Sequence, residues 1–244
     1  MFNSIYSTAS ALQANELAHA QIAENLAHLN VPGFRRNINV FESMLKSDPD
    51  NPDALTGREL NGVQLAKNTT SFEAGGLRST GRSLDVALSG DGFFSVQGPD
   101  GPLYTRNGSF QINAEGQLIS SSNLLVNGEG GPIQIPTNVL VEQIAIAADG
   151  SISAGLLPLG KLEITSFADN SVLERAGTTL FRAGLDANPI PSKATVQQRS
   201  LELANTSAVN ELIQMMVGSR HFESAQRAMR TISDAIQQNT SPRG

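Results

Sequence analysis

Two apolar seams, one near each end of the chain, constrain what this sequence can fold into more than any other feature. Phe222, Ala225, Met229, Ile232 and Ile236 recur at spacings of 3, 4, 3 and 4 residues, the heptad rhythm that gathers side chains on one stripe of a helix. Leu212, Met215 and Met216 extend that stripe upstream with a drift of phase. Near the other end, Ile5, Leu12, Ile22, Leu26 and Leu29 occupy a and d positions of a second heptad, completed by Thr8, Asn15 and His19. The patterns predict helices over residues 4–29 and 208–238. Ser4 and Ser207 stand where a hydroxyl caps free N–H groups. Asn210 is a weak stand-in for the Glu of a capping box, and Glu223 precedes Arg227 in the favoured order for an i,i+4 ion pair. A first seam this polar does not make a self-contained bundle. The economical arrangement packs the two terminal helices on each other, coiled-coil fashion, away from whatever lies between them.

What lies between reads as antiparallel β. Asp91-Gly92, Asp100-Gly101, Asn107-Gly108, Glu115-Gly116, Asn127-Gly128 and Asp149-Gly150 punctuate short apolar segments, and such pairs accept the backbone angles of tight hairpin turns. Phe93-Phe94-Ser95-Val96 and Ser109-Phe110-Gln111-Ile112 cluster or alternate as half-buried strands do. Lys161-Leu162-Glu163-Ile164-Thr165-Ser166-Phe167 reads as one cleanly alternating strand. The fold class is therefore α+β, a central antiparallel β domain with N- and C-terminal helices pairing as a coiled-coil-like terminal domain.

Four segments follow. Residues 1–34 hold the first helix, ended by Asn30-Val31-Pro32-Gly33, where Pro32 turns Val31 from helical angles and Gly33 accepts positive φ. Pro32, Gly33 and Phe34 form a turn that redirects the chain, with Phe34 as its apolar anchor. Residues 35–75 read as an extended arm. Within it, Asp48-Pro49-Asp50-Asn51-Pro52-Asp53 resembles a calcium loop only superficially, for Pro52 stands in a loop that needs Gly at its bend and no distal Glu closes it. Residues 76–204 are the β domain and 205–244 the second helix.

Composition excludes several functions. A net charge of -6 is the wrong sign for neutralising nucleic-acid phosphates. No apolar run nears the ~20 residues that span a bilayer. Met1-Phe2-Asn3-Ser4-Ile5 has neither a basic nor an apolar region of a cleavable signal peptide. The absence of Cys removes disulfides and thiolate metal sites. His19 and His28 are nine apart on one helix, off metal-ligand spacing, and His221 has no patterned partner. Gly90-Asp91-Gly92 leads into a strand rather than the helix N-terminus a phosphate loop requires. No Gly-x-Ser-x-Gly elbow occurs, and Asp85 with Asp91 is no better a glycosidase pair than any two carboxylates of a β protein. Arg220, Arg227 and Arg230 read first as a solvated face. Catalytic, cofactor and metal residues are thus all expected to be absent, and no small-molecule substrate is expected.

Three ordered blocks carry a resemblance. The first is Ala23-Glu24-Asn25-Leu26-Ala27-His28-Leu29-Asn30-Val31-Pro32-Gly33-Phe34-Arg35-Arg36. The second is Arg82-Ser83-Leu84-Asp85-Val86-Ala87-Leu88-Ser89-Gly90-Asp91-Gly92-Phe93-Phe94 with Tyr104-Thr105-Arg106-Asn107-Gly108-Ser109-Phe110 and Glu115-Gly116-Gln117-Leu118. The third runs from Leu201-Glu202-Leu203-Ala204-Asn205-Thr206 through Ile236. The chain resembles the flagellar basal-body rod and hook family, and its length and single β domain favour the proximal-rod branch over the distal one. Leu29-Asn30-Val31 and Thr206-Ser207 depart from the common family residues and mark a divergent member.

The resemblance implies a structural subunit exported unfolded through the flagellar type III apparatus, assembling with copies of itself and other axial rod proteins into a tube across the periplasm. The terminal helices would form its inner wall, the β domain its outside. The assembly interface would be Ile5, Leu12, Ile22, Leu26 and Leu29 with Leu212, Met216, Phe222, Met229, Ile232 and Ile236. The reading of another class is a secreted β-domain binding module or adhesin, for which the termini would be dispensable. A β-fold hydrolase is disfavoured because no nucleophile–base set is visible.

Overall fold

The computed structural model describes residues 2–45, 60–184 and 187–240. The chain divides into two compact units: residues 1–27, 37–69 and 207–244, and residues 28–36 with 70–206. The acidic, proline-broken stretch Asp48–Asp53 lies outside the described residues, as do the side chains of Ile5 and Ile236.

The first unit holds helix α1 (Phe2–Ala27) and helix α2 (Ala208–Thr240), which pack on each other. Helix α1 begins two residues before Ser4, so Ser4 sits inside its first turn rather than capping it. Helix α2 starts directly after Ser207, whose carbonyl accepts the Glu211 N–H at 2.9 Å. Gly218 lies against His19, with room for a Cβ only 3.0 Å from the His19 Nε2. Further along, Phe222 and Glu223 line a cavity with His19 and Glu16. The α2 numbers rise as the α1 numbers fall, so the helices run antiparallel.

The segment read as an extended arm contains strands β1 (Asn37–Leu45) and β2 (Leu60–Thr70), which pair with each other. An extended backbone carries a row of N–H and C=O groups that must find partners, and this segment supplies them to itself. The start of β1 is pinned to α1. Asn25 Oδ1 accepts the Asn37 N–H at 2.9 Å, Asn25 Nδ2 donates to the Asn37 carbonyl at 3.0 Å, and Gln21 Nε2 donates to the same carbonyl.

The second unit is built on a six-stranded antiparallel sheet. Its centre is the hairpin of β5 (Phe93–Gly98) and β6 (Gly101–Thr105), after the short strands β3 (Leu77–Ser79) and β4 (Val86–Ser89). Outward from β6 lie Leu180–Ala183 and Leu173–Arg175, and outward from β5 lie Ile164–Phe167 and Pro189–Pro191. The last is an edge strand with prolines at both ends, which lack the N–H that a further strand would need. Successive β5 side chains point to opposite faces. Phe94 and Val96 join an aliphatic core with Val86, Leu118, Ile152 and Leu162, whereas Phe93 joins Tyr104, Phe167 and Phe181 in an aromatic cluster. Burial on both faces explains why this strand reads as a continuous apolar run.

The turn signals hold in part. Pro99-Asp100 closes the β5–β6 hairpin, Gly116 at φ 78° turns the chain between Gln111–Ile112 and Leu118–Ile119, and Gly150 at φ 88° does so between Ile144–Ile146 and Ser151–Ala154. Asn127-Gly128 is itself a strand, paired with Gly131–Pro132, and the turn is Glu129-Gly130. Asn107-Gly108 is no hairpin turn. The Gly108 carbonyl accepts the Val86 N–H at 3.0 Å, and two backbones meet there with no space for a side chain. The expected strand Lys161–Phe167 is divided between two sheets. Leu157–Lys161 pairs with Ser151–Ala154 and Ile164–Phe167 with β5. The alternation survives the switch because Leu162 and Ile164 feed the same aliphatic core.

The turn after α1 belongs to this second unit. Phe34 is fully buried, stacks on His28 at 5.0 Å between ring centroids, and lies under the Arg175 guanidinium. Gly33 has φ 68°, and a Cβ there would stand 2.4 Å from the backbone of Arg106 and Asn107. Both the angle and the space exclude a side chain. Gly33→Ala should therefore destabilise the chain by about 2–4 kcal/mol, read as a lower denaturant midpoint at unchanged slope. A midpoint equal to wild type would show that the turn relaxes freely.

Candidate assembly site

Three charged residues from distant parts of the sequence meet inside the second unit. Glu202, within the strand Ser200–Glu202, is almost wholly inaccessible to solvent, as is Arg35, and Arg106 nearly so. Arg35 Nη2 donates to Glu202 Oε1 at 2.7 Å and Arg106 Nη1 to Glu202 Oε2 at 3.3 Å. The Gly75 N–H donates to Oε1 at 2.8 Å, and the Gly33 N–H to the Glu202 carbonyl at 2.8 Å. Arg106 also donates to the Gly90 carbonyl at 2.7 Å. Burial pulls the Arg106 guanidinium below its ordinary pKa, and the Glu202 carboxylate opposes that pull. Two cations share one anion in a medium where charges interact strongly.

Asn205 extends this node. Its Oδ1 accepts the Arg36 N–H at 2.7 Å, and its Nδ2 donates to the carbonyls of Ser71 at 2.8 Å and Glu73 at 3.0 Å. The stretch that follows α1, the start of the β unit and the stretch that precedes α2 are thus tied together by one carboxylate and one amide. None of Glu202, Arg106 or Asn205 stands out as a site in the sequence. The available signal was local: a Glu between two leucines, and an Arg directly after the buried Phe34.

On the helices, Thr8, Leu12, Asn15, His19 and Leu26 are half-buried and Ile22 is buried. On α2 the sheltered stripe is Glu211, Met215, Gly218, Phe222, Ala225, Met229 and Ile232, which keeps the 4-3 rhythm throughout. Leu212 and Met216 leave it. They are 48% and 58% exposed, on the far side with Val209, Ile213 and Val217 at 65%, 49% and 46%. The phase does not drift. Stepping back from Phe222 by 4, 3 and 4 residues reaches Gly218, Met215 and Glu211, two of which no apolar pattern selects. Leu29, half-buried, and Pro32, Gly33 and Phe34 lie in the other unit. Glu223 and Arg227 pair at 3.4 Å on the solvent side.

Among the described residues of these sites, none is arranged for covalent chemistry. The cavity lined by Glu16, His19, Ser219, Phe222 and Glu223 measures about 440 Å³ and lies beside the helix seam. Among the described residues no three His, Asp or Glu side chains cluster as metal ligands. The Gly90 carbonyl is occupied by Arg106, and Asp85 is buried beside Arg82 at 3.6 Å.

The chain is similar in sequence to known proteins. A family model described as the flagellar hook protein FlgE/F/G D1 domain matches residues 87–154, and one described as the flagellar basal body rod FlgEFG protein C-terminal matches residues 197–241. The chain is 32% identical to the flagellar basal-body rod protein FlgF of Escherichia coli, over 96% of this chain and 95% of that one. It is 30% identical to the flagellar basal-body rod protein FlgG of Buchnera aphidicola subsp. Baizongia pistaciae, over 97% and 98%. To FlgG of Bacillus subtilis it is 28% identical, over 98% of each chain.

The node makes a sharp prediction. Glu202→Gln keeps the shape but leaves two buried guanidinium groups without a counter-charge, which should cost roughly 3–5 kcal/mol. Denaturation of the full chain measures it, and because the pair is buried the loss should persist at high salt. A loss below about 1 kcal/mol, the range of exposed pairs, would show that the node is open to water.

Proposed function

The chain belongs to the flagellar basal-body rod protein family, and we propose that this structural, non-enzymatic rod subunit polymerises through its terminal helices into the axial tube. Its place is the flagellar basal body. The observation that carries the proposal is the two-sidedness of α2, with one sheltered stripe against α1 and five large aliphatic side chains exposed on its far side. A surface of that kind on a soluble subunit marks a place for a partner.

The finer reading has three parts. The helices pair as a short antiparallel coiled coil, supported by the 4-3 rhythm of the sheltered stripe on α2 and by the half-buried Leu12, Asn15, His19 and buried Ile22 on α1. The assembly partners are copies of this chain and other axial rod proteins, with the proximal end of the rod as its position, supported by its length and single β domain. Delivery is by the flagellar type III apparatus. A chain without Cys, in which no described helix is long and apolar enough to cross a membrane, fits that route.

The seam between the helices is thin. Thr8, Asn15, His19 and Gly218 occupy positions where a stable coiled coil has leucines. Ordering backbone costs about 1–2 kcal/mol per residue, and each fully buried leucine-sized side chain returns roughly 1.5–3 kcal/mol. Burial of the far side of α2 by neighbours supplies what the seam lacks, so the helices order as the subunit joins the rod. On the dilute monomer, amides of residues 210–236 should exchange near the unprotected rate while those of the β unit stay protected. Strong protection there would separate helix order from assembly. Phe222→Ser with Ile232→Ser should leave the β unit folded and remove the tagged protein from purified basal bodies. Normal incorporation of that variant, or absence of the wild-type chain from basal bodies, would overturn the proposal.

A further inference from the structure

The far side of α2 has a counterpart on the same chain. At about 100° per residue, Val209, Ile213, Met216 and Arg220 lie roughly opposite the sheltered stripe through Gly218 and Phe222, and Arg227 continues the line. One exposed flank of α1, between its seam and its outermost side, is of the contrary kind. Ala9, Ala20, Ala23 and Ala27 are exposed along it around Glu16, and the larger Gln13, Leu17 and Glu24, also exposed, border it on the outer side. Small side chains leave a shallow trough on a helix, and large ones make the ridge that fills such a trough. Charge matches as well as shape. Glu16 and Glu24 are the only charged residues of α1, whereas the α2 ridge runs into Arg220, which is exposed and makes no ion pair among the described residues.

We propose that in the polymer the aliphatic ridge of α2, Val209-Ile213-Met216 running into Arg220, docks on the alanine trough of α1 in a second copy of this chain, with Arg220 placed against Glu16. This rests on the rod-subunit reading and names the partner of its exposed surface. A contact of α2 with α2 would set bulk against bulk and Arg220 against itself, so the observations favour the unlike pairing. The two surfaces are different patches, so the contact is heterologous. Such contacts close into rings or continue as open helices, and they do not stop at a dimer as a self-complementary patch does.

The chain has no Cys, which makes the pairing directly readable. Single-cysteine copies carrying Ala20→Cys or Ala23→Cys are co-expressed with differently tagged copies carrying Ile213→Cys or Met216→Cys. Purified basal bodies are then treated with a short bis-maleimide. Doubly tagged dimers should form in mixed cells, while cells holding only α2 cysteines give none. As a second readout, Glu16→Arg should reduce incorporation at least tenfold and Arg220→Glu in the same chain should restore it. Cross-links between two α2 cysteines, no cross-link in any combination although the copies are incorporated, or no rescue by the charge exchange would each overturn the pairing. If the unsubstituted tagged chain is itself missing from basal bodies, the rod reading falls first, and this pairing with it.

Discussion

The carboxylate of Glu202 is the point on which the β unit depends. A carboxylate taken out of water needs opposite charge and hydrogen bonds, or its desolvation outweighs what it holds together. Glu202 receives Arg35, Arg106 and the Gly75 N–H, which lie in three separate stretches of chain. Register follows from this. Ser200–Glu202 pairs with β3 so that Glu202 faces Leu77, and a slip by one residue would turn the carboxylate to the other face and put Leu201 or Leu203 between the guanidinium groups. The arrangement has a cost. Arg35 Nε and Nη1 and Arg106 Nε have no hydrogen-bond partner among the described residues. A well-packed apolar cluster would hold the same segments with less penalty, but it would accept several registers, and the charged node accepts one.

Asparagines do the complementary work, because an amide side chain carries both a donor and an acceptor and can stand in for a missing strand. Asn25 offers both to the backbone of Asn37. Asn205 offers both to Arg36, Ser71 and Glu73. Asn107 takes the N–H of Ser109 and donates to Ser121. Each sits where the chain leaves one regular element before entering the next, and each removes the penalty of an unpaired backbone group at that break.

Much of this was legible in the residues. The helices, the β middle, the positive φ of Gly33 and the burial of Phe34 all follow from local pattern, because local pattern is what sets them. The phase of α2 did not follow from hydrophobicity, because its seam includes Gly218 and Glu211. Gly218 is there to admit His19, a requirement imposed by the other helix. Leu212 and Met216 drew the seam toward themselves because apolar side chains ordinarily face inward. The node was illegible for a related reason. Arg35 and Glu202 are separated by 167 positions, Arg35-Arg36 looks like an ordinary basic surface, and no local rule joins an Arg of one turn to a Glu of a distant strand. The division of Lys161–Phe167 was hidden because both of its halves bury side chains in one core.

The two-sided α2 and the thin seam are one design. A helix with a single strong apolar stripe, packed on an equally strong partner, is complete in the monomer and has no reason to bind again. A helix with apolar residues on opposite sides is complete only between two neighbours. If the seam toward α1 were strengthened to full leucines, the pair would be stable alone, and the ridge of Val209, Ile213 and Met216 would remain an exposed aggregating surface wherever the subunit was made. On the assembly proposed above, with Thr8, Asn15, His19 and Gly218 in the seam, the ridge becomes an ordered surface only once a neighbour is there to cover it. On that proposal the polar seam residues are the condition under which an exposed aliphatic ridge on α2 is tolerable at all.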